Sequence, residues 1–319
     1  MMRADIKGSR ILVTGGAGFI GSHLVDRFLA EGATKVVIID NLFLGNIENL
    51  EDAQKQGALF IHDDAEIPGV LENIIKDHEI DIVFNCATKA LNYSFIDPAD
   101  AFMTNVNIIR ILLELQRTGY FKTLCHFSSS EVYGSALYES MDEQHPMNPT
   151  TTYAAGKAAA DMMLFSYVQQ YELDAFIMRP FNNYGPRQNF EGPLAGIIPM
   201  TVKHILSGEP PEIHGTGEQS RDYIFVLDTV DAVIKLYDKL GKGEAVNISA
   251  NGQVTINELV SAIALEMNYT GEIVRKEARP ADVFCHNANN EKMKSFIDFS
   301  PISLQEGLRQ TLAWYREQI

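Results

Sequence analysis

Ile11-Leu12-Val13-Thr14-Gly15-Gly16-Ala17-Gly18-Phe19-Ile20-Gly21-Ser22-His23 is the stretch whose reading decides the fold of this chain. Ile11 to Val13 are continuously apolar, as in a parallel strand buried on both faces. Gly15, Gly18 and Gly21 follow at three-residue spacing, and Ile20, Leu24, Phe28 and Leu29 then recur with a helical period. The stretch reads as strand, glycine turn and helix. Such a turn leaves backbone N–H groups free at a helix N-terminus, where the macrodipole also favours anions. Side chains at the glycines would keep a pyrophosphate away from the backbone. A second apolar run, Val36 to Ile39, ends in Asp40. A carboxylate roughly 20 residues beyond the last glycine can hold adenosine ribose hydroxyls and repels a 2′-phosphate. The expected cofactor is NAD rather than NADP, with Gly15, Gly18, Phe19, Ile20, Gly21 and Asp40 among its contacts.

Composition bounds the remainder. A chain of 319 residues holds one large or two modest domains. Its net charge of −16 argues against nucleic acid or an anionic membrane as partner. Cys86, Cys125 and Cys285 are scattered and lack metal-ligand spacing, so reduced thiols and a cytoplasmic location are expected. Cys86 and Cys125 lie in apolar runs and read as core packing. The histidines form no H-x-x-x-H pair and no cluster with cysteine, so no metal site is expected. No stretch reads as a leader or a membrane span.

Downstream, strands are expected at 59–61, 80–85, 123–128 and 175–178. Helices are expected at 69–78, 99–118 and 152–171 between them. Strands alternating with helices imply an α/β, doubly wound parallel sheet, whose ligands bind outside the strand carboxyl ends. From Arg179 onward Pro and Gly become frequent, with helical patterns at 195–207, 228–240, 255–267 and 303–318. The chain is divided on this basis into a dinucleotide-binding domain, 1–178, and a smaller mixed α/β lobe, 179–319, with chain crossings between them.

Two further motifs carry chemistry. In Tyr153-Ala154-Ala155-Gly156-Lys157 the four-residue spacing puts phenol and ammonium on one helix face. A phenol titrates near pH ~10 in isolation, and an adjacent cation lowers that and favours tyrosinate as a base. Ser128-Ser129-Ser130-Glu131 follows an apolar strand on the side where ligands bind, although serines there also cap loops.

With these motifs in hand, the chain resembles the extended short-chain dehydrogenase/reductase family, in its nucleotide-sugar epimerase/dehydratase branch. The matching pieces run in order: Thr14 to Gly21, Asp40-Asn41-Leu42, Asp64, Cys86-Ala87, Asn105, the Ser129 motif, and the Tyr153/Lys157 pair. They continue with Arg179-Pro180-Phe181-Asn182-Asn183-Tyr184-Gly185-Pro186-Arg187, Gly217 to Asp222, Arg279-Pro280-Ala281-Asp282, and Leu304 to Leu308 with Trp314. The resemblance implies that Asn41, Asp64, Ala87, Lys89, Asn105, Tyr153, Lys157 and Pro180 serve NAD. It implies that Ser129 hydrogen-bonds a sugar 4-hydroxyl beside Tyr153, and that Asn182, Arg187 and Arg221 bind substrate. An arginine fork suits a diphosphate and stays charged. The family also implies a homodimer built on a four-helix bundle from helices 99–118 and 152–171.

Glu131 resembles the sugar 4,6-dehydratases, in which oxidation at C4 makes the C5 proton acidic. A base removes that proton, water leaves from C6, and hydride returns to C6. Many such enzymes carry an Asp before the Glu as general acid; this chain has Ser130. Serine there also resembles GDP-mannose dehydratases and UDP-glucuronate decarboxylases, as do Asn85 and His62-Asp63 the latter. The decarboxylases commonly place an acidic residue in the spacer occupied here by Ala155-Gly156. The expectation is an NAD-dependent nucleoside-diphosphate-hexose 4,6-dehydratase using Ser129, Ser130, Glu131, Tyr153 and Lys157. Hexuronate decarboxylase, 4-epimerase and a non-catalytic dinucleotide-sensing regulator are the alternatives.

Overall fold

The computed structural model describes residues 3–278 and 285–318. The Arg279-Pro280-Ala281-Asp282 motif lies outside the described residues. The first part of the chain runs β1 (Arg10–Thr14), α1 (Phe19–Ala30), β2 (Lys35–Asp40), α2 (Glu51–Lys55), β3 (Leu59–His62) and α3 (Val70–Asp77). It continues through β4 (Ile82–Asn85), α4 (Pro98–Arg117), β5 (Thr123–Phe127), α5 (Thr152–Tyr171) and β6 (Asp174–Pro180). Then follow β7 (Asn182–Tyr184), α6 (Ile197–Leu206), β8 (Glu212–His214), β9 (Ser220–Arg221), β10 (Tyr223–Phe225) and α7 (Val226–Leu236). The last elements are β11 (Ala245–Ile248), β12 (Val254–Thr255), α8 (Ile256–Glu266), β13 (Val274–Lys276), β14 (Cys285–His286), α9 (Glu291–Phe296) and α10 (Leu304–Gln318).

The main sheet has the strand order β11-β6-β5-β4-β1-β2-β3 and is parallel throughout. Alternate side chains of each strand feed opposite faces. Ile11 and Val13 pack with Leu24 and Phe28 of α1 and Val233 and Leu236 of α7. Leu12 packs on the other face with Leu71 and Ile75 of α3, Ile109 and Leu112 of α4, and Leu164 of α5. Burial on both faces is why the strands read as unbroken apolar runs.

Local signals set the helix limits. Asp97 caps α4 by accepting the Asp100 N–H at 3.0 Å, with Pro98 following in the first turn. Thr151 caps α5 through the Ala154 N–H at 3.2 Å. Gly156 lets these two helices touch, since a Cβ there would lie 2.7 Å from the Phe102 carbonyl oxygen.

The chain crosses back after residue 178. β11 pairs with β6 as the seventh strand, and α7 covers the sheet beside α1. The smaller lobe gathers Ile198 and Val202 of α6, Leu259 and Ile263 of α8, and Leu308, Leu312 and Tyr315 of α10 around Tyr184 and Phe225. Among the described residues, no helix is long and apolar enough to cross a membrane.

A polar clip joins α1 to the loop after β7. The ring of His23 bonds the Pro186 carbonyl at 3.0 Å, and Asp26 pairs with Arg187 at 2.7 Å. Burial, helped by the Arg187 charge, lowers His23 to about 4. The folded chain therefore binds fewer protons than the unfolded chain between pH about 4 and 6.5. His23 contributes fully above pH 6.5 and loses its contribution as pH falls through about 4. Chemical denaturation across this window is expected to cost the wild type up to about 3 kcal/mol more than His23→Gln; parallel curves would refute the assignment.

Candidate functional site

The sheet order reverses between β1 and β4, and a cavity of about 360 Å³ lies at their carboxyl ends. Gly15 (φ +68°) lies against the next loop, where a Cβ would fall 2.7 Å from both the Cα and the N of Ala87. A Cβ on Gly21 would collide with the Gly15 carbonyl oxygen. Gly18 caps α1 without a side-chain hydrogen bond, and its own Cβ position is open apart from the Gly15 oxygen at 3.1 Å. The turn is thus a cradle that ends at an uncovered helix N-terminus.

Asp40 closes one wall. Its carboxylate accepts the Ala17 N–H at 3.0 Å and the Leu42 N–H at 2.8 Å. Burial raises this carboxyl group while those bonds oppose the rise. Each oxygen keeps lone-pair capacity for a further donor. Asn41 donates to Asp64 at 2.8 Å, and both line the cavity. Lys89 stands over the Phe43 ring at 3.9 Å and pairs with Asp100 at 3.5 Å. Phe19, Ile20, Ala87, Ser129, Tyr153, Lys157 and Pro180 complete the expected set on the lining.

Cys86, expected in the core, also lines this cavity. Burial pushes its thiol up to about 12, so it is no thiolate nucleophile. Asn105 is absent from the lining: it is buried on α4 and accepts a 2.8 Å bond from Thr88. Thr88, which the sequence reading missed, sits in the lining and hydrogen-bonds Tyr153.

Tyr153 departs from expectation in its titration. Burial pushes the phenol up to about 12, and the Glu131 charge adds to this, while hydrogen bonds with Ser129 and Thr88 oppose it. The chain alone therefore does not lower this phenol. Lys157 donates to the Phe127 carbonyl at 2.8 Å, and burial lowers its ammonium to about 8. Ser129 caps a 3-10 turn, accepting the Glu131 N–H at 3.2 Å.

A second cavity of about 350 Å³ adjoins the first, with Asn183, Gln188 and Gly196 on both linings. Glu131, Asn182 and Arg221 line it. Asn182 is anchored to the Asp222 carbonyl at 3.2 Å. Tyr153 and Glu131 therefore face one continuous crevice from its two halves. Ser130 and Arg187 lie outside both linings. Ser130 is buried, because successive side chains of a tight turn diverge, and its carbonyl contacts the His286 ring at 3.2 Å. Arg187 is held instead by Asp26. Among the described residues, no cluster of potential metal ligands occurs.

Comparison with known proteins accords with this geometry. The model of the NAD dependent epimerase/dehydratase family matches residues 11–249. The chain is 32% identical to a UDP-glucose 4-epimerase of Mycolicibacterium smegmatis, over 97% of this chain and 99% of that one. It is 32% identical to UDP-glucuronic acid decarboxylase 3 of Arabidopsis thaliana, over 94% of this chain and 86% of that one. Its structure is similar to dTDP-glucose 4,6-dehydratase of Streptomyces venezuelae, crystallised with NAD, with a TM-score of 0.91, 29% identity and 97% of each chain covered. The glycine cradle, the open helix N-terminus and the Asp40 wall suit NAD, the cofactor named for the matching family and bound in the Streptomyces venezuelae structure. The chain belongs to the NAD dependent epimerase/dehydratase family.

Proposed function

We propose that this protein is an NAD-dependent nucleoside-diphosphate-hexose 4,6-dehydratase. The observation that carries the reading is that Glu131 lines the cavity that adjoins the Tyr153 cavity, the two sharing Asn183, Gln188 and Gly196. A 4-epimerase needs a base at the C4 hydroxyl and has no use for a second one. Elimination across C5 and C6 requires it.

NAD, when bound, supplies the acceptor and later the donor of hydride. The N–H groups opening α1 would hold its pyrophosphate, Asp40 its ribose hydroxyls, and Asn41 with Asp64 its adenine. Ser129 and Thr88 orient the Tyr153 hydroxyl, which takes the proton of the sugar 4-hydroxyl. The Lys157 ammonium, with the positive charge of the oxidised cofactor, offsets the burial that otherwise keeps this phenol protonated. Glu131 then removes the C5 proton. Ser130 lies outside the crevice, so Glu131 also delivers that proton to the departing C6 hydroxyl, which leaves as water. The proton that Tyr153 took from the 4-hydroxyl, passed through solvent to Glu131, is the one C5 receives when C6 is reduced. Asn182 and Arg221 hold the diphosphate.

A hexuronate would bring a further anion beside Glu131. Among the described residues of the second lining, Arg221 is the guanidinium present, beside His204 and His214, and in this reading the diphosphate takes it. This favours a neutral hexose over decarboxylation. A dinucleotide sensor would need none of Ser129, Tyr153 or Lys157.

We infer also that the protein forms a homodimer through α4 and α5. Leu112 and Leu115 belong to its own core, whereas Met103 and Met162 are 44% and 56% exposed on these helices. Light scattering is expected to give twice the chain mass; a monomer at micromolar concentration would refute the dimer.

Incubation with UDP-, dTDP- and GDP-hexoses and hexuronates, followed by mass spectrometry, tests the activity. Loss of water is expected. Loss of carbon dioxide, or an isomer of unchanged mass, would establish a rival instead. Glu131→Gln and Tyr153→Phe are each expected to lower turnover by about 100-fold or more. An epimerase would keep its activity in Glu131→Gln.

A further inference from the structure

Tyr153, Lys157 and Asp161 follow one another at four-residue spacing and share one face of α5. The first two have roles in the proposed chemistry. Asp161 has none, yet it is wholly buried. One of its oxygens, Oδ2, accepts three bonds: from Ser128 at 2.8 Å and from Arg179 Nε and Nη2 at 3.0 and 2.9 Å. Arg179 is itself buried, and its Nη1 donates to the Tyr133 hydroxyl at 2.9 Å. That hydroxyl donates onward to Asn247 at 2.8 Å.

We propose that Asp161 is a positioning residue for the Tyr153–Lys157 pair: fixed by Ser128 and Arg179, its carboxylate is the buried counter-charge of the Lys157 ammonium. The proposal rests on the reading of Tyr153 and Lys157 as the catalytic pair.

The surroundings leave this role to Asp161. The charged and titratable groups here are Asp161 on α5 itself, His126 on β5, Arg179 on β6, Cys86 after β4, and Glu131 across from Tyr153. His126 is buried, and its pKa lies well below the ordinary range, through burial first and then the Lys157 and Arg179 charges, so it is neutral. Its Nε2 lies 3.8 Å from Asp161 Oδ1. Cys86 is a thiol. Burial strips protons from a lysine, and a carboxylate opposes this. Asp161 is the carboxylate that lies one turn beyond Lys157 on the same helix face, with both side chains buried, and so is placed to oppose that loss. A neutral amine in this place could not favour tyrosinate. Stability does not explain the arrangement, because apolar replacements of a buried ion pair are often neutral or stabilising.

Selective 13C-lysine labelling allows Lys157 to be titrated by NMR, its resonance being assigned through its loss in Lys157→Met. In Asp161→Asn the ammonium-to-amine midpoint is expected to fall by about one pH unit, a tenfold change in the ratio. This variant leaves Arg179 unpaired and destabilises the fold, so the double variant Asp161→Asn/Arg179→Met, which removes both charges, is measured beside it. The midpoint is expected to fall there too, and Asp161→Glu is expected to restore it. Turnover at neutral pH is expected to drop about tenfold in the double variant with KM unchanged, since Asp161 lies outside both linings. A wild-type midpoint in the double variant would overturn the proposal. Full turnover in Tyr153→Phe and Lys157→Met would instead overturn the catalytic reading, with the midpoint still judging the counter-charge.

Discussion

A backbone-to-backbone approach at the end of β1 governs everything that surrounds it. Gly15 lies so close to Ala87 that no side chain fits between the two loops. The chain then departs in opposite directions, into α1 on one side of the sheet and toward α4 on the other. Register transmits this placement along the carboxyl edge. Thr14 stands opposite Asn85, Asn85 opposite His126, and His126 opposite Ile177. Thr14 donates to Asn85 at 2.6 Å, and Asn85 meets the His126 ring at 3.1 Å. A slip of one residue would turn each of these polar side chains into the opposite apolar layer. The polar line therefore records the register that puts Ser129 and Pro180 level with the glycine turn.

What could be read in the sequence was what neighbouring residues decide among themselves. Thr151 and Asp97 cap their helices through bonds three residues long, so the 152–171 helix was legible to the residue and 99–118 nearly so. The cradle glycines were legible because φ and close contact leave few alternatives. β11 was not, because it spans four residues and carries Asn247 in its middle. Its side-chain amide is tolerated in the core because the Tyr133 hydroxyl donates to it and the Met141 carbonyl accepts from it, both over a hundred residues away in sequence. The same kind of distance hid α9 and the return of α7 to the main sheet.

The candidate site divides along the same line. Tyr153, Lys157, Asp40 and Glu131 follow from spacing and from position after a strand. Arg187, Asn105 and Ser130 follow from motif position alone, and they lie outside the two cavity linings. Arg187 closes onto Asp26 of α1, Asn105 bonds Thr88, and Ser130 is buried by its own turn. Thr88 carried no signal of its own, since a threonine after a strand is ordinary. Its significance comes from reaching Tyr153 and Asn105 at once.

The relatives act as epimerases, dehydratases and decarboxylases on one scaffold, and the way this chain mounts its groups shows how that is possible. Tyr153 and Lys157 are carried by a long helix packed tightly on α4 through Gly156. Glu131 is carried by a short turn capped by Ser129. The turn is anchored by Val132 and Tyr133, which pack with Ala158 of α5, whereas Glu131 lines the crevice, so replacing the Glu131 side chain alone leaves the helix and its buried charges as they are. A reaction that begins with the same oxidation can then diverge according to what that turn presents to C5 and C6. Coupling still runs through the crevice, because the Glu131 charge raises the Tyr153 phenol. In the proposed chemistry a carboxylate that serves elimination therefore hinders the first proton transfer, and the charges of Lys157 and of the oxidised cofactor together would have to offset both this charge and the burial. That double demand makes the state of Lys157, rather than the number of acids in the crevice, the quantity on which the proposed chemistry turns.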